Sequence, residues 1–238
     1  MSEHIVKSFT EQLELLANGV AQMGGLAEAQ FANAIEAIAK RDAKLAEAAI
    51  GSDERVDRIQ QTVEEQALKM LALRQPMAID LRTTLAALKI ANELERIGDL
   101  AKNISKRVIA LGAATYPTQV IRGVEHMSDL VLGQLKQVLD AYARRDVGKA
   151  MEVWRGDEEI DAVNNSLFRE LLTYMMEDPR NITFCTHLLF CAKNIERMGD
   201  HATNIAETVY YIAEGRALID ERPKGDTTSS TTVPFPAA

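Results

Sequence analysis

Cysteine is scarce, and its placement excludes both of its usual structural uses. The 238-residue chain has two, Cys185 and Cys191, six positions apart with no CxxC or Cys/His partner set. Buried, reduced thiols are expected rather than a disulfide or a zinc site. Aromatic residues make up only 5%, while Ala, Leu, Glu, Ile and Lys recur throughout. That mixture favours helices over half-buried strands. Basic charge is also in deficit: 27 Lys and Arg face 35 Asp and Glu, for a formal net charge of -8, and no run of five basic residues occurs. A surface built to neutralise nucleic-acid phosphates is thereby excluded. No stretch reaches the ~18 uninterrupted apolar residues of a membrane span. The opening "MSEHIVKSFTEQLELL" puts acidic residues where a secretory signal carries positive ones, so a cytoplasmic location is expected. The motifs GxxxxGK[ST], GxSxG and GxGxxG are all missing.

What is present is helical periodicity. Hydrophobic residues are 47% of the chain, enough for one sizeable core or two small stacked ones. Leu13, Leu16, Val20 and Met23 recur at three- and four-residue steps, and Phe31, Ile35 and Ile38 continue the stripe. This predicts a long amphipathic helix, with Gly24-Gly25 placed to bend it. Pro76, the "GAATYP" stretch at 112–117 and Pro179 divide the sequence, because glycine and proline interrupt helices. Asp80 is placed to cap the helix that follows Pro76. The segment after Arg222, "PKGDTTSSTTVPFPAA", lacks apolar periodicity and is read as disordered.

The chain is also a tandem duplication. "AKRDAKLAEAAIGSDERVD" (39–57) aligns with "ARRDVGKAMEVWRGDEEID" (143–161) at an offset of 104. "ANELERIGDLAKNISKRV" aligns with "AKNIERMGDHATNIAETV" at an offset of 101, with nine of eighteen positions identical. Each copy reads as three helices, so the predicted architecture is all-α: six helices in two tandem three-helix bundles. The first repeat is assigned to 1–114 and the second to 115–217, with the seam near Tyr116-Pro117 and a disordered tail over 218–238.

The duplicated stretches carry four acidic pairs: Asp53/Asp57, Glu95/Asp99, Asp157/Asp161 and Glu196/Asp200. Residues four apart share a helix face, so each pair projects side by side. Such like-charge pairs oppose helix stability by ~0.2–0.5 kcal/mol, and the neighbouring Gly98 and Gly199 each cost ~0.5–1 kcal/mol more in a helix interior. Something should offset these costs. Pro76 lies 19 residues after Asp57 and 19 before Glu95, and 23 from both Asp53 and Asp99. An antiparallel hairpin there would set the two pairs at equal height. Around Pro179 the match holds to within one residue.

Four gathered carboxylates raise one another's pKa and need cations. Two sources remain open at this point. Arg55, Lys102 or Lys106, or Arg96 and Arg197, could supply salt bridges, although the last two adjoin the glutamates in sequence and point ~100° away round the helix. Alternatively a multivalent ion is held by oxygen ligands, with Asn103 and Asn204 one turn further on. With no His or Cys in the stripe, Mg, Mn, Ca or iron are favoured over zinc.

The remaining candidates read as structural. His201 matches Leu100 in the first copy, which makes it a packing or interface residue, and Trp154 matches Ile50, which makes it a core filler. Gly98 and Gly199 allow close approach of a neighbouring helix or a metal cluster.

"RQPMAIDLR" followed by "KIANELERIGDLAKNI", with the repeat "AKNIERMGDHATNIAE", resembles the PhoU family, cytoplasmic regulators associated with bacterial phosphate-specific transport. The resemblance covers residues 4 to about 216 and implies two three-helix bundles. It further implies metal binding, often as multinuclear clusters, by Asp53, Asp57, Glu95, Asp99, Asp157, Asp161, Glu196 and Asp200, with Mn, Mg or Fe as the ion. The second turn, "EDPRNITF", departs from the first. The implied function is negative regulation of the phosphate-starvation response, coupling a PstB-like transporter ATPase to a PhoR-like sensor histidine kinase, with no catalysis. A di-metal carboxylate enzyme is the competing class, but such bundles use Glu-x-x-His, and no ExxH occurs here. A salt-bridged structural bundle without metal is the third. A homodimer is expected, because long amphipathic helices in two plate-like halves leave apolar surface to bury.

Overall fold

A computed structural model describes residues 2–112, 118–220, 222 and 224–231, with side chains from 9 onward and excluding that of 118. The assigned seam at Tyr116-Pro117 lies outside the described residues. Helices account for nearly all of the rest, and no strand occurs among the described residues.

The first bundle consists of α1 (Ser2–Lys40), α2 (Ala43–Arg74) and α3 (Ala78–Leu111). The second consists of α4 (Thr118–Arg144), a rod split into α5 (Val147–Arg155) and α6 (Asp157–Glu177), and α7 (Ile182–Glu214). Six helical rods were expected, and the second rod of the second copy is the one that breaks. Gly156 carries the interruption, its N–H reaching the carbonyls of both Glu152 and Val153 at 3.0 and 3.1 Å. The equivalent Ser52 continues α2 without a break.

The duplication extends to the turns. Arg41 and Arg145 both adopt the left-handed region, at φ 56° and 54°. Asp42 N–H then reaches back to the Ala37 carbonyl at 3.1 Å, and Asp146 N–H to that of Ala141 at 2.9 Å. These six-to-one bonds close the helices, as in a Schellman motif. Each aspartate then caps the next helix: Asp42 accepts from the N–H of Lys44 and Leu45, Asp146 from that of Lys149. The repeated "RD" is thus one turn built twice.

Of the expected stripe on α1, Leu16, Val20, Met23, Phe31 and Ile38 are at most 1% exposed and Ile35 is 8% exposed, while Leu13 is partly buried; Ala27 and Ala34 complete the buried face. α1 continues without interruption through Gly24-Gly25. A Cβ on Gly24 would lie 2.7 Å from a Leu139 methyl, so this glycine admits α4 against α1. Asp80 is not the cap of α3. Met77 holds that position with no side-chain bond, and Asp80 sits in the first turn, where its charge suits the helix dipole.

The two bundles join through α3 on α7 and α1 on α4. Lys89 stacks on Tyr211 and Arg107 on Phe190, while Glu93 bonds Asn204. Rising numbers on α3 meet falling numbers on α7, so these central helices run antiparallel. Each acidic set lies on the opposite flank of its central helix, where α3 meets α2 and α7 meets α6.

Candidate functional site

The hairpin at Gln75-Pro76 brings the first acidic set together at the expected height. Asp53 is 5% exposed. Its Oδ2 pairs with the Lys102 ammonium, which also lies 3.5 Å from Asp99 Oδ1. Its Oδ1 accepts a 3.3 Å bond from Gln30 Nε2 on α1. Burial, then the charges of Asp53 and Asp99, push Asp57 above the usual carboxylate range, against the pull of Lys102. Burial and Asp99, followed by Asp57 and Asp53, do the same to Glu95, against Arg96. Four carboxylates from two helices therefore share one field, and one ammonium does not neutralise it. Arg96 was expected to point away, yet its Nε lies 3.5 Å from Glu95 Oε2 while its side chain stays 58% exposed.

Gln30 is the feature of this site that sequence reasoning missed. It is 1% exposed, and its Oε1 has no hydrogen-bond partner. A Cβ on Gly98 would come within 3.1 Å of that oxygen and 3.7 Å of Asp53 Oδ1. Gly98 therefore keeps α3 close to both. A polar residue within the apolar stripe of α1, three positions after Ala27, was the available signal.

Among the described residues no three His, Cys, Asp or Glu side chains converge closely enough to hold a metal ion; Lys102 bridges Asp53 and Asp99 instead. The donor chemistry nevertheless fits a hard cation. The set offers carboxylate oxygens, a buried amide oxygen without a partner, and uncompensated repulsion at Asp57 and Glu95. A bound ion would take over the role of the Lys102 ammonium.

The second set is occupied by the chain itself. Arg222 donates two bonds to Asp157, 3.0 Å from Nε to Oδ2 and 2.8 Å from Nη2 to Oδ1, and its Nη2 lies 2.6 Å from Asp200 Oδ1. Asp161 Oδ2 accepts the N–H of Gly225 at 2.7 Å and of Asp226 at 3.1 Å. Lys193 Nζ bridges Glu196 at 2.8 Å and Asp226 at 2.7 Å. Asn165 clamps the same segment, donating to the Gly225 carbonyl and accepting from Thr227 N–H. Part of the segment expected to be disordered, residues 222 and 224–231, thus rests against the bundle, ending in a short 3-10 turn (Thr228–Ser230). Polar bonds to fixed carboxylates hold it, and apolar periodicity does not report such bonds. Gly199 repeats the packing of Gly98: its Cβ would lie 3.1 Å from Ile160, the counterpart of Val56 beside Gly98.

Other expected residues fall elsewhere. His201 Nδ1 lies 2.6 Å from Glu93 Oε2, which also accepts from Asn204 Nδ2 at 3.1 Å. This makes His201 an interface residue, as its mismatch with Leu100 suggested, and turns Asn204 toward the other bundle rather than the acidic set. Burial opposes ionisation of Glu93, but the bonds from His201 and Asn204 outweigh it and hold its pKa below the usual range. Asn103 is exposed. Trp154 is buried at 6%, with Nε1 donating to Glu207. Cys185 and Cys191 are free and buried, and burial pushes their thiols up to about 11 and about 12.

Two three-helix bundles joined through antiparallel central helices, each presenting an ERxGD helix and a DxxxD helix, define an all-α class built by internal duplication. The chain belongs to the PhoU family: the family model described as PhoU domain matches residues 20–108 and again 124–209. It is 54% identical over 227 residues to a phosphate-specific transport system accessory protein PhoU homolog of Rhizobium meliloti, covering 95% of this chain and 96% of that protein. A homolog of the same description from Caulobacter vibrioides is also 54% identical, over 96% of this chain and all of that one. The crystal structure of PhoU from Pseudomonas aeruginosa superposes with a TM-score of 0.82 at 36% identity, covering 87% of this chain and 100% of that one. The phosphate transport system regulatory protein PhoU from Streptococcus pneumoniae gives 0.81 at 27% identity, covering 88% and 99%. No helix among the described residues is long and apolar enough to cross a membrane.

Proposed function

We propose that this protein is the cytoplasmic adaptor that represses the phosphate-starvation response when phosphate is plentiful, by coupling a PstB-like transporter ATPase to a PhoR-like sensor histidine kinase. The observation that carries this reading is the 54% identity with phosphate transport accessory proteins over nearly the whole of both chains. A homodimer is the expected working form. The protein acts by holding its partners in one signalling state, since an adaptor changes a partner's equilibrium only through differential contacts. It is not proposed to perform a reaction.

In the same reading the first acidic set holds a hard ion, Mn, Mg or Fe, through Asp53, Asp57, Glu95 and Asp99, with Gln30 as a further oxygen donor. Bound there, the ion would neutralise the carboxylates and brace α2 against α3. Asp157, Asp161, Glu196 and Asp200 form the matching set and are already paired with Arg222, Lys193 and backbone N–H groups, although burial and acidic neighbours still hold Asp161 and Glu196 above the usual carboxylate value.

Deletion of the gene tests the regulatory role. Phosphate-starvation genes should switch on in phosphate-rich medium and return to repression when the gene is restored. Unchanged repression, in a cell with no second gene of this family, overturns it.

A further inference from the structure

The two acidic sets are copies in sequence and unlike in structure. The first is bridged by one ammonium from its own helix hairpin, and burial with acidic neighbours, Asp53 and Asp99 for Asp57 and Asp99 for Glu95, holds both above the usual carboxylate value. Every carboxylate of the second has a partner, and most of those partners come from beyond the end of α7. Arg222, itself 14% exposed in its side chain, spans Asp157 and Asp200, the former only 3% exposed in its side chain. Asp161 receives two successive backbone N–H groups, and the carbonyl between them is held by Asn165. Lys193 ties Asp226 to Glu196.

Bidentate guanidinium–carboxylate pairing and paired N–H donors on one carboxylate oxygen are shape-selective interactions, not general charge attraction. Removing the tail would strand a buried Asp157 without its cation, which low-dielectric surroundings penalise strongly. The first set has no such occupant among the described residues.

We propose that the second acidic set is the docking cleft for Arg222 and residues 224–228 of the chain's own segment beyond α7, an intramolecular ligand read as a guanidinium followed by a Gly-Asp backbone turn. The cleft is therefore closed to a metal ion while the segment is seated, and the protein holds ions in its first set only. A partner or ion that engages Asp157 and Asp200 must first displace Arg222, which gives the second half a lock that the first half lacks. The docking itself does not depend on the adaptor and metal reading above; only the consequence for ion content does.

Docking is measured first, in chelator, so that its outcome is independent of metal. Trypsin cannot cut Arg222-Pro223, but Lys224 lies 63% exposed in its side chain beside a Gly225 whose N–H and carbonyl are both bonded. Cleavage of a locally opened segment follows the population of the open form. Cutting after Lys224, followed by mass spectrometry, should be slow in the full-length protein. It should accelerate at least about tenfold in Arg222→Gln and in Asp161→Ala, and stay unchanged in Asp57→Asn. Arg222→Gln changes only the tail, so a folding failure of Asp161→Ala would not remove the test. Equal cleavage rates in wild type and Arg222→Gln overturn the docking. Manganese content after desalting is the second arm. Wild type should lose all of it with Asp57→Asn, Asp99→Asn, whereas Arg222→Gln should gain manganese that Asp157→Asn removes. Wild-type manganese that depends on Asp157 overturns the closed cleft, whatever the first set does.

Discussion

Replacing Gly199 by alanine measures why the duplicated motif keeps a glycine inside a helix. Helix propensity favours alanine by about 1 kcal/mol. The new Cβ, however, would sit 3.1 Å from Ile160 Cδ1 and 3.7 Å from methyls of Ile160 and Val131. Ile160 is 1% exposed, so its δ-methyl has no solvent to retreat into. Forcing a methyl into such packing costs about 1–3 kcal/mol, and the balance is a net loss of up to about 2 kcal/mol. Ile160→Val removes the obstructing atom at a cost of its own of about 0.5–1.5 kcal/mol, leaving the 3.7 Å contacts, which are ordinary van der Waals distances. In that background Gly199→Ala should stabilise by about 0.5–1 kcal/mol, a coupling of at least about 1 kcal/mol between the two sites. Urea unfolding of the four proteins, followed by far-UV circular dichroism in chelator, gives the cycle. If Gly199→Ala has the same effect in both backgrounds, Ile160 does not fix the glycine and this account of the ERxGD motif fails.

Two further outcomes follow from the charged groups. Glu93→Gln should weaken the α3–α7 contact by about 1–3 kcal/mol at pH 7, because hydrogen bonds to a charged acceptor from His201 and Asn204 are lost. The folded pKa of Glu93 is depressed, so its contribution is present above the unfolded value and lost as pH falls through the folded one. The gap between wild type and variant in denaturant titrations should therefore close in acid; a gap independent of pH refutes the assignment. Lys102→Met should destabilise the protein in chelator, since Asp53 keeps only the Gln30 amide, and should enlarge the thermal shift produced by manganese. A smaller shift than wild type would mean that Lys102 assists the ion rather than stands in for it.

The sequence pattern carried the all-α duplication because helix periodicity and repeated local sequence are short-range signals: the stripe on α1 and the ERxGD helices reappear where the pattern put them, and the aligned "RD" pairs prove to be one turn built twice. It carried the height match of Asp53 with Asp99 because a proline fixes a hairpin's midpoint. The break at Gly156 was not legible, since a single glycine in an otherwise helical run does not by itself end a helix, as Gly98 and Gly199 show. Nor was the role of Arg222, which lies 65 residues from Asp157 in a segment without periodicity. Gln30 and Glu93 escaped for a related reason. Their partners lie on other helices, so spacing within one helix cannot point to them.

The most direct measurement of the central claim, that the first acidic set is built for a hard cation, is the melting temperature of wild type and of Asp57→Asn, Asp99→Asn, each in chelator and then in manganese. Asp57 is held above its usual pKa by burial and its acidic neighbours, so neutralising the pair should leave the variant at least as stable as wild type in chelator. Wild type should then gain about 2.7 kcal/mol at a hundredfold excess of ion over Kd, a rise of roughly 5–11 °C for a chain of this size, while the variant gains little. A wild type indifferent to manganese, beside a variant destabilised in chelator, would show that the carboxylates exist to pair with Lys102 and would contradict the claim.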